Sequence, residues 1–232
     1  MKHSLVCAGW LLICSLVSCA QLQRVEPTGP PRVLLLGDSI SIGYTPFVRE
    51  LLGGQAVVVR PMSDDGARAE NCAGTTKGME HVERWLKASG GDFDVIHFNF
   101  GLHDLKRVKA SSGANSDDKD DPQQAGLETY TDQLRSITLT LLSSGAQLCF
   151  ATTTPVPGGG VRPHRDPQDV IEYNAAAVQL MQGLGVTVND LYTSAQALPA
   201  GSQLPVNVHF SKAGSRELAG GVASAILDMI TD

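Results

Sequence analysis

The feature that most restricts this chain is a set of short, largely apolar runs separated by segments with helical spacing. Val33–Leu36 is the first, followed by Ala56–Val59, Val95–Phe100, Leu148–Ala151 and the brief Val186–Val188. Near-continuous apolar runs of this length suit strands buried on both faces, whereas a strand with one wet face alternates polar and apolar residues. Between them, Met79, Val82 and Leu86 share one helical face, as do Leu127, Tyr130, Leu134, Ile137 and Leu141. Val170, Tyr173, Ala177 and Leu180 repeat the pattern, and Leu218, Val222, Ala225 and Met229 close the chain behind a Ser211 cap. Strands alternating with helices specify a parallel sheet covered on both sides. The expectation is an α/β, three-layer α/β/α flavodoxin-like fold with a mostly parallel sheet of five strands.

At 232 residues the chain holds one domain of ordinary size after an N-terminal export segment. Residues 1–20 read as a signal peptide: Lys2 supplies positive charge, and Leu5–Val17 is an apolar stretch too short to span a bilayer comfortably. Its end, Leu16-Val17-Ser18-Cys19, resembles a bacterial lipobox, which implies lipid attachment at Cys19; ordinary cleavage after Ala20 is the alternative. The expected location is the cell envelope, lipid-anchored, or otherwise the periplasm or the medium. Residues 21–31 form a Pro-containing linker, and 32–232 form the folded domain.

Only Cys72 and Cys149 fall in that domain, and Cys149 lies inside an apolar run, so two buried free thiols are expected. Ligand spacings of the CxxC type are absent, and neither metal nor cofactor is expected. The net charge of −6 disfavours nucleic acid as a partner. Two long loops, Lys106–Gln124 and Thr153–Gln168, leave the carboxyl ends of strands and should border a cleft. The first crowds Asp117, Asp118, Asp120 and Asp121 without calcium-loop spacing, which favours a solvated, mobile insertion over an ion site.

Ser39 follows the first buried run directly, in Gly37-Asp38-Ser39. That position puts a hydroxyl at the carboxyl edge of the sheet, close to free backbone N–H groups able to stabilise an oxyanion. A serine nucleophile needs a base. His209 stands in the loop before the last helix, which a doubly wound sheet brings to the same edge. Gly101-Leu102-His103-Asp104 ends the third strand there, and Asn71-Cys72-Ala73-Gly74-Thr75 follows the second.

These four blocks, in this order, resemble those of the SGNH (GDSL-type) hydrolases, and the resemblance runs from Val33 to Ile230. It implies ester hydrolysis or acyl transfer through an acyl-enzyme. Ser39 would be the nucleophile and His209 the base, with Ser39, Gly74 (or a displaced Ala73) and His103 holding the oxyanion. The implied partner is a small-molecule or saccharide ester, for example an O-acetylated sugar. Two departures stand out. His103 replaces the family's Asn, and a neutral imidazole still offers one N–H. Val206 occupies the position of the family's acid, three residues before His209. A main-chain carbonyl or water is then expected to accept the His209 Nδ1–H, with Asp190 as a substitute only if it is not capping a turn. Val206 also keeps open a weakened fold that only binds saccharides, and an acyltransferase using the same Ser39 and His209 remains a further alternative.

Overall fold

The computed structural model describes residues 29–231. The export segment and most of the linker, with Lys2, Cys19 and Ala20, lie outside the described residues. Five strands form one sheet: β1 Arg32–Leu36, β2 Val57–Val59, β3 Val95–Phe98, β4 Gln147–Ala151 and β5 Thr187–Asn189. Their order is β2-β1-β3-β4-β5 and every pairing is parallel. β1 and β3 are central, and Val33–Leu36 and Val95–Phe98 are completely or almost completely buried.

Among the described residues six α-helices cover the sheet: α1 Ser39–Leu52, α2 Thr75–Trp85, α3 Leu127–Leu142, α4 Pro167–Gly183, α5 Leu191–Gln196 and α6 Lys212–Thr231. Parallel crossovers are right-handed. The chain moves one way from β1 to β2 and the other way from β2 through β5, so α1 falls on one face and α2, α3 and α4 on the opposite face. α6 returns to pack along α1. Carboxylate and hydroxyl caps start the helices: Asp38 accepts from Ile40 N–H, Asp166 from Gln168 N–H and Asp190 from Thr193 N–H. Ser211 Oγ accepts from Gly214 N–H, as its cap assignment requires.

Helix α1 carries Pro46 in its interior, which hides it from a search for helical pattern. A proline there removes one backbone hydrogen bond at a cost of about 3 kcal/mol. Burial of Tyr44, Phe47, Val48 and Leu52 against the core offsets it. Two side chains assigned to buried faces lie outside. Met79 is 46% exposed because α2 turns Gly78, Val82 and Trp85 inward instead, and Leu127 is 38% exposed at the open first turn of α3. Cys72 and Cys149 are both buried and free. Among the described residues no helix is long and apolar enough to cross a membrane.

The loop between α5 and α6 is fastened to the first turn of α6. Ser211 N–H donates to Ser202 C=O at 2.8 Å, and Leu204 N–H donates to His209 C=O at 2.9 Å. Gly214 lies beneath this crossing, and a Cβ there would stand 2.2 Å from Ser202 O. Alanine is the better helix former by about 1 kcal/mol. Backbone cannot yield as a side chain can, so the overlap should outweigh that gain by about 1–3 kcal/mol. Gly214→Ala is therefore expected to lower the thermal midpoint by a few degrees in calorimetry. An unchanged or raised midpoint would mean that the loop is free to shift.

Candidate active site

β1 ends at the point where the strand order reverses, between β1 and β3, which is where open α/β sheets bind ligands. Gly37 and Asp38 make the turn, and Ser39 opens α1. Its N–H, at the first helical position, has no acceptor within the helix. Ser39 Oγ lies 2.9 Å from His209 Nε2, so two residues 170 positions apart meet at the mouth of the sheet.

The other ring nitrogen is held locally. His209 Nδ1 lies 2.8 Å from Asn207 Oδ1, and His209 N–H donates to the same oxygen at 3.0 Å. A backbone N–H can only donate, so the amide atom facing it is the oxygen, and the ring nitrogen meeting that oxygen carries hydrogen. This fixes the tautomer with Nε2 free toward Ser39. The expected main-chain carbonyl or water is thus corrected: the side chain of Asn207 takes the place, through an Asx turn that reaches two residues on. Asp190 is elsewhere, capping α5 and bonded to Thr152 and Thr193. Val206 is 51% exposed with φ 50°, a left-handed conformation unusual for a β-branched residue, and its side chain faces the cleft. Gln203 ties this loop to the one after β4 by donating to Pro155 C=O at 2.7 Å.

The cleft has a volume of about 490 Å³, within the range of small-ligand sites. Ser39, His103 and His209 all line it, with Asn71 and Asn207 at its sides. His103 makes no hydrogen bond among the described residues, and burial, followed by the charges of Lys106 and Arg165, pushes its pKa down to about 3. The imidazole is therefore neutral and has one N–H to give. Gly74 sits behind the cleft as the buried N-cap of α2. A Cβ on it would meet the Asp104 carboxylate at 2.7 Å. Asp104 accepts from Thr75 N–H at 2.7 Å and Thr75 Oγ at 2.6 Å, coupling the residue after Gly74 to the residue after His103.

Both long loops border the cleft as expected. The first is folded onto the second: Arg107 N–H donates to His164 C=O, His164 N–H to Ser116 C=O, and Arg107 pairs with Asp169 at 3.1 Å. Among its acidic residues, Asp121 bonds Ser116 Oγ and Asp117 pairs with Arg162. Among the described residues no three His, Cys, Asp or Glu side chains converge as a metal site.

The model of the GDSL-like lipase/acylhydrolase family matches residues 35–217. No curated protein matches the sequence significantly. Similar solved structures include a lipase/acylhydrolase from Enterococcus faecalis (TM-score 0.63, 18% identity, 84% of this chain and 95% of that one). An acetylxylan esterase from Geobacillus stearothermophilus matches at TM-score 0.65 and 18% identity over 85% and 95% of the two chains. A GDSL-like lipase from Bacteroides thetaiotaomicron matches at 0.62 and 12% over 85% and 88%.

Asp104 gives a test of this architecture. Burial raises its pKa from 3.8 to about 6 against the Thr75 hydrogen bonds, and its Oδ2 has no partner among the described residues. A carboxyl whose folded pKa is raised stabilises the fold below its unfolded pKa and loses that contribution as pH rises through the folded value. Asp104→Asn should therefore gain stability relative to wild type by about 2–3 kcal/mol between about pH 3.5 and pH 7. Urea midpoints of the two proteins at both pH values measure the difference, and a constant difference would place the titration elsewhere.

Proposed function

The chain belongs to the GDSL-like lipase/acylhydrolase family and is an ester-hydrolysing enzyme, and from that premise we propose that Ser39 and His209 carry the reaction on a short-chain ester of a polar, saccharide-like alcohol. The observation that carries the proposal is the 2.9 Å contact between Ser39 Oγ and His209 Nε2, with the tautomer set by Asn207.

His209 Nε2 takes the Ser39 proton as Oγ attacks the ester carbonyl, and then returns it to the departing alcohol. Water repeats the cycle on the acyl-enzyme: His209 takes its proton, the hydroxide adds to the acyl carbon, and Ser39 leaves with the proton restored. The oxyanion of each step is stabilised by the Ser39 N–H, the Gly74 N–H and the neutral His103 N–H. Asn207 supplies orientation but no charge, so the imidazolium gains less support than a carboxylate would give. Because its amide oxygen already selects the working tautomer, the large penalty of a wrong tautomer does not arise. That removes the main reason for reading Val206 as the mark of a fold that only binds. The cleft mixes polar side chains with Leu102, Val161 and Val208, which suits a short acyl group on a hydroxylated alcohol. The shared fold of an acetylxylan esterase supports the same choice. The export signal read in residues 1–20, with a lipid at Cys19, belongs to this reading and puts the ester outside the cytoplasm.

A fluorophosphonate probe should label the wild type and spare Ser39→Ala, and hydrolysis of a fluorogenic acetate should fall by about six powers of ten in kcat. Equal labelling of the two proteins would remove Ser39 from the mechanism. Asn207 is tested in two directions. Asn207→Ala frees the imidazole and should lower kcat by about one to two powers of ten, while Asn207→Asp keeps both hydrogen bonds, adds charge and should raise kcat by up to about tenfold. If Asn207→Ala retains the wild-type rate, another group orients His209.

A further inference from the structure

The lining of the cleft has a charge pattern that ester hydrolysis does not require. Lys106, Arg162 and Arg165 line it, and none of its lining residues is Asp or Glu, although the chain as a whole carries a net charge of −6. Arg162 is an exposed residue paired with Asp117 and is set aside. The other two differ from it.

Arg165 is only 6% exposed. Its Nε donates to Leu102 C=O at 2.8 Å and its Nη1 to Pro163 C=O at 3.3 Å, which fixes the guanidinium plane. Nη2 has no acceptor among the described residues. It is not a sealed atom either, since it is absent from the buried polar groups without a partner, and the residue lines the cleft. The Asp38 carboxyl acts on Arg165 through space but makes no ion pair with it; it is engaged by Ile40 N–H and faces the closed space beneath the turn. Lys106 is half-buried, and its ammonium forms neither an ion pair nor a hydrogen bond among the described residues. Burial lowers its pKa, and so does the charge of Arg165, with the Asp104 carboxyl acting the other way, so the two cations are close enough to repel each other.

Holding a buried and a half-buried cation near each other without an ion-paired carboxylate costs stability unless a ligand offsets it. A planar anion that accepts from the free Nη2 of Arg165 and from the Lys106 ammonium would do so with charge-assisted bonds. We propose that Lys106 and Arg165 form an anion subsite beside the Ser39 nucleophile, and that the enzyme selects esters of acidic sugars, in which a carboxylate lies within one sugar ring of the acyl group. The inference rests on the esterase reading above for the position of the acyl group, but the subsite itself is defined by the two cations.

The test uses a mono-acetylated methyl glucuronoside and the matching mono-acetylated methyl glucoside, with the intact protein. The wild type is expected to favour the glucuronoside at least about tenfold in kcat/KM, mainly through KM. In Lys106→Gln that ratio should fall to near one. Arg165→Gln should do the same if it folds, and the half-buried Lys106 carries the test if it does not. A wild-type ratio near one overturns the proposal. So does a Lys106→Gln variant that loses both substrates equally, because the cations would then serve the reacting carbonyl. Calorimetric titration with free glucuronate and glucose separates this from failure of the esterase reading. If neither ester is cleaved yet glucuronate binds at least about tenfold more tightly than glucose, and Lys106→Gln abolishes the difference, the subsite stands and the hydrolytic reading falls. Equal binding of the two sugars overturns the subsite.

Discussion

The carbonyls of Gly37 and Asp38, just past β1 at the carboxyl edge of the sheet, lie beyond the strand ladder, and the whole site is built around how this chain satisfies them. The Gly37 carbonyl accepts from Cys72 N–H at 3.1 Å and from Arg60 Nη2 at 2.9 Å. The Asp38 carbonyl accepts from Ser41 Oγ and Ile42 N–H, and its carboxylate accepts from Ile40 N–H. A buried carbonyl left alone would cost about 1–3 kcal/mol. Satisfying Gly37 draws the segment after β2 onto the end of β1 and so brings Gly74 toward Ser39. It also requires a cation in the interior: Arg60 is buried, bonds Ser41, Thr45 and the Glu70 carbonyl as well, and keeps one unpaired Nε. Burial lowers its pKa while raising that of Asp38. The Ser39 turn therefore stands on a rigid, electrostatically costly base, and little freedom is left in where its hydroxyl points.

The opposite half of the site depends on local geometry. The loop from Pro199 to Ser211 crosses α6 at Gly214, is latched to the loop after β4 by Gln203, and turns sharply at Val206. That turn lets Asn207 reach back to both the backbone and the ring of His209. A carboxylate at this point would bring negative charge into a cleft whose other ionisable walls are cationic or neutral. The amide does the orienting without adding charge, and the field in the cleft remains positive where Lys106 and Arg165 face it.

Much of this was legible in the chain. The apolar runs placed all five strands within one or two residues, because burial on both faces leaves little room for polar positions, His97 of β3 being an exception. Helices α2, α3, α4 and α6 showed their period; α1 did not, because Pro46 contradicts local propensity and only packing overrules it. Ser39 and His209 stood out by their places after the first strand and before the last helix, and His103 only through the resemblance to the SGNH hydrolases. Asn207 was visible at Asx-turn spacing from His209, but nothing in the sequence says whether an amide turns toward a ring or toward solvent.

The sequence by itself determined the parallel α/β architecture, the edge of the sheet that carries chemistry and the residue types available there, since these follow from periodicity and chain order. The tertiary structure alone decided which groups meet: that Asn207 rather than a main-chain carbonyl holds His209, that Asp190 is occupied as a cap, and that Lys106 and Arg165 converge on the cleft without a carboxylate between them. Such pairings depend on how loops distant in sequence fold over one another, and on which buried polar groups each loop must satisfy, neither of which is written in a local pattern.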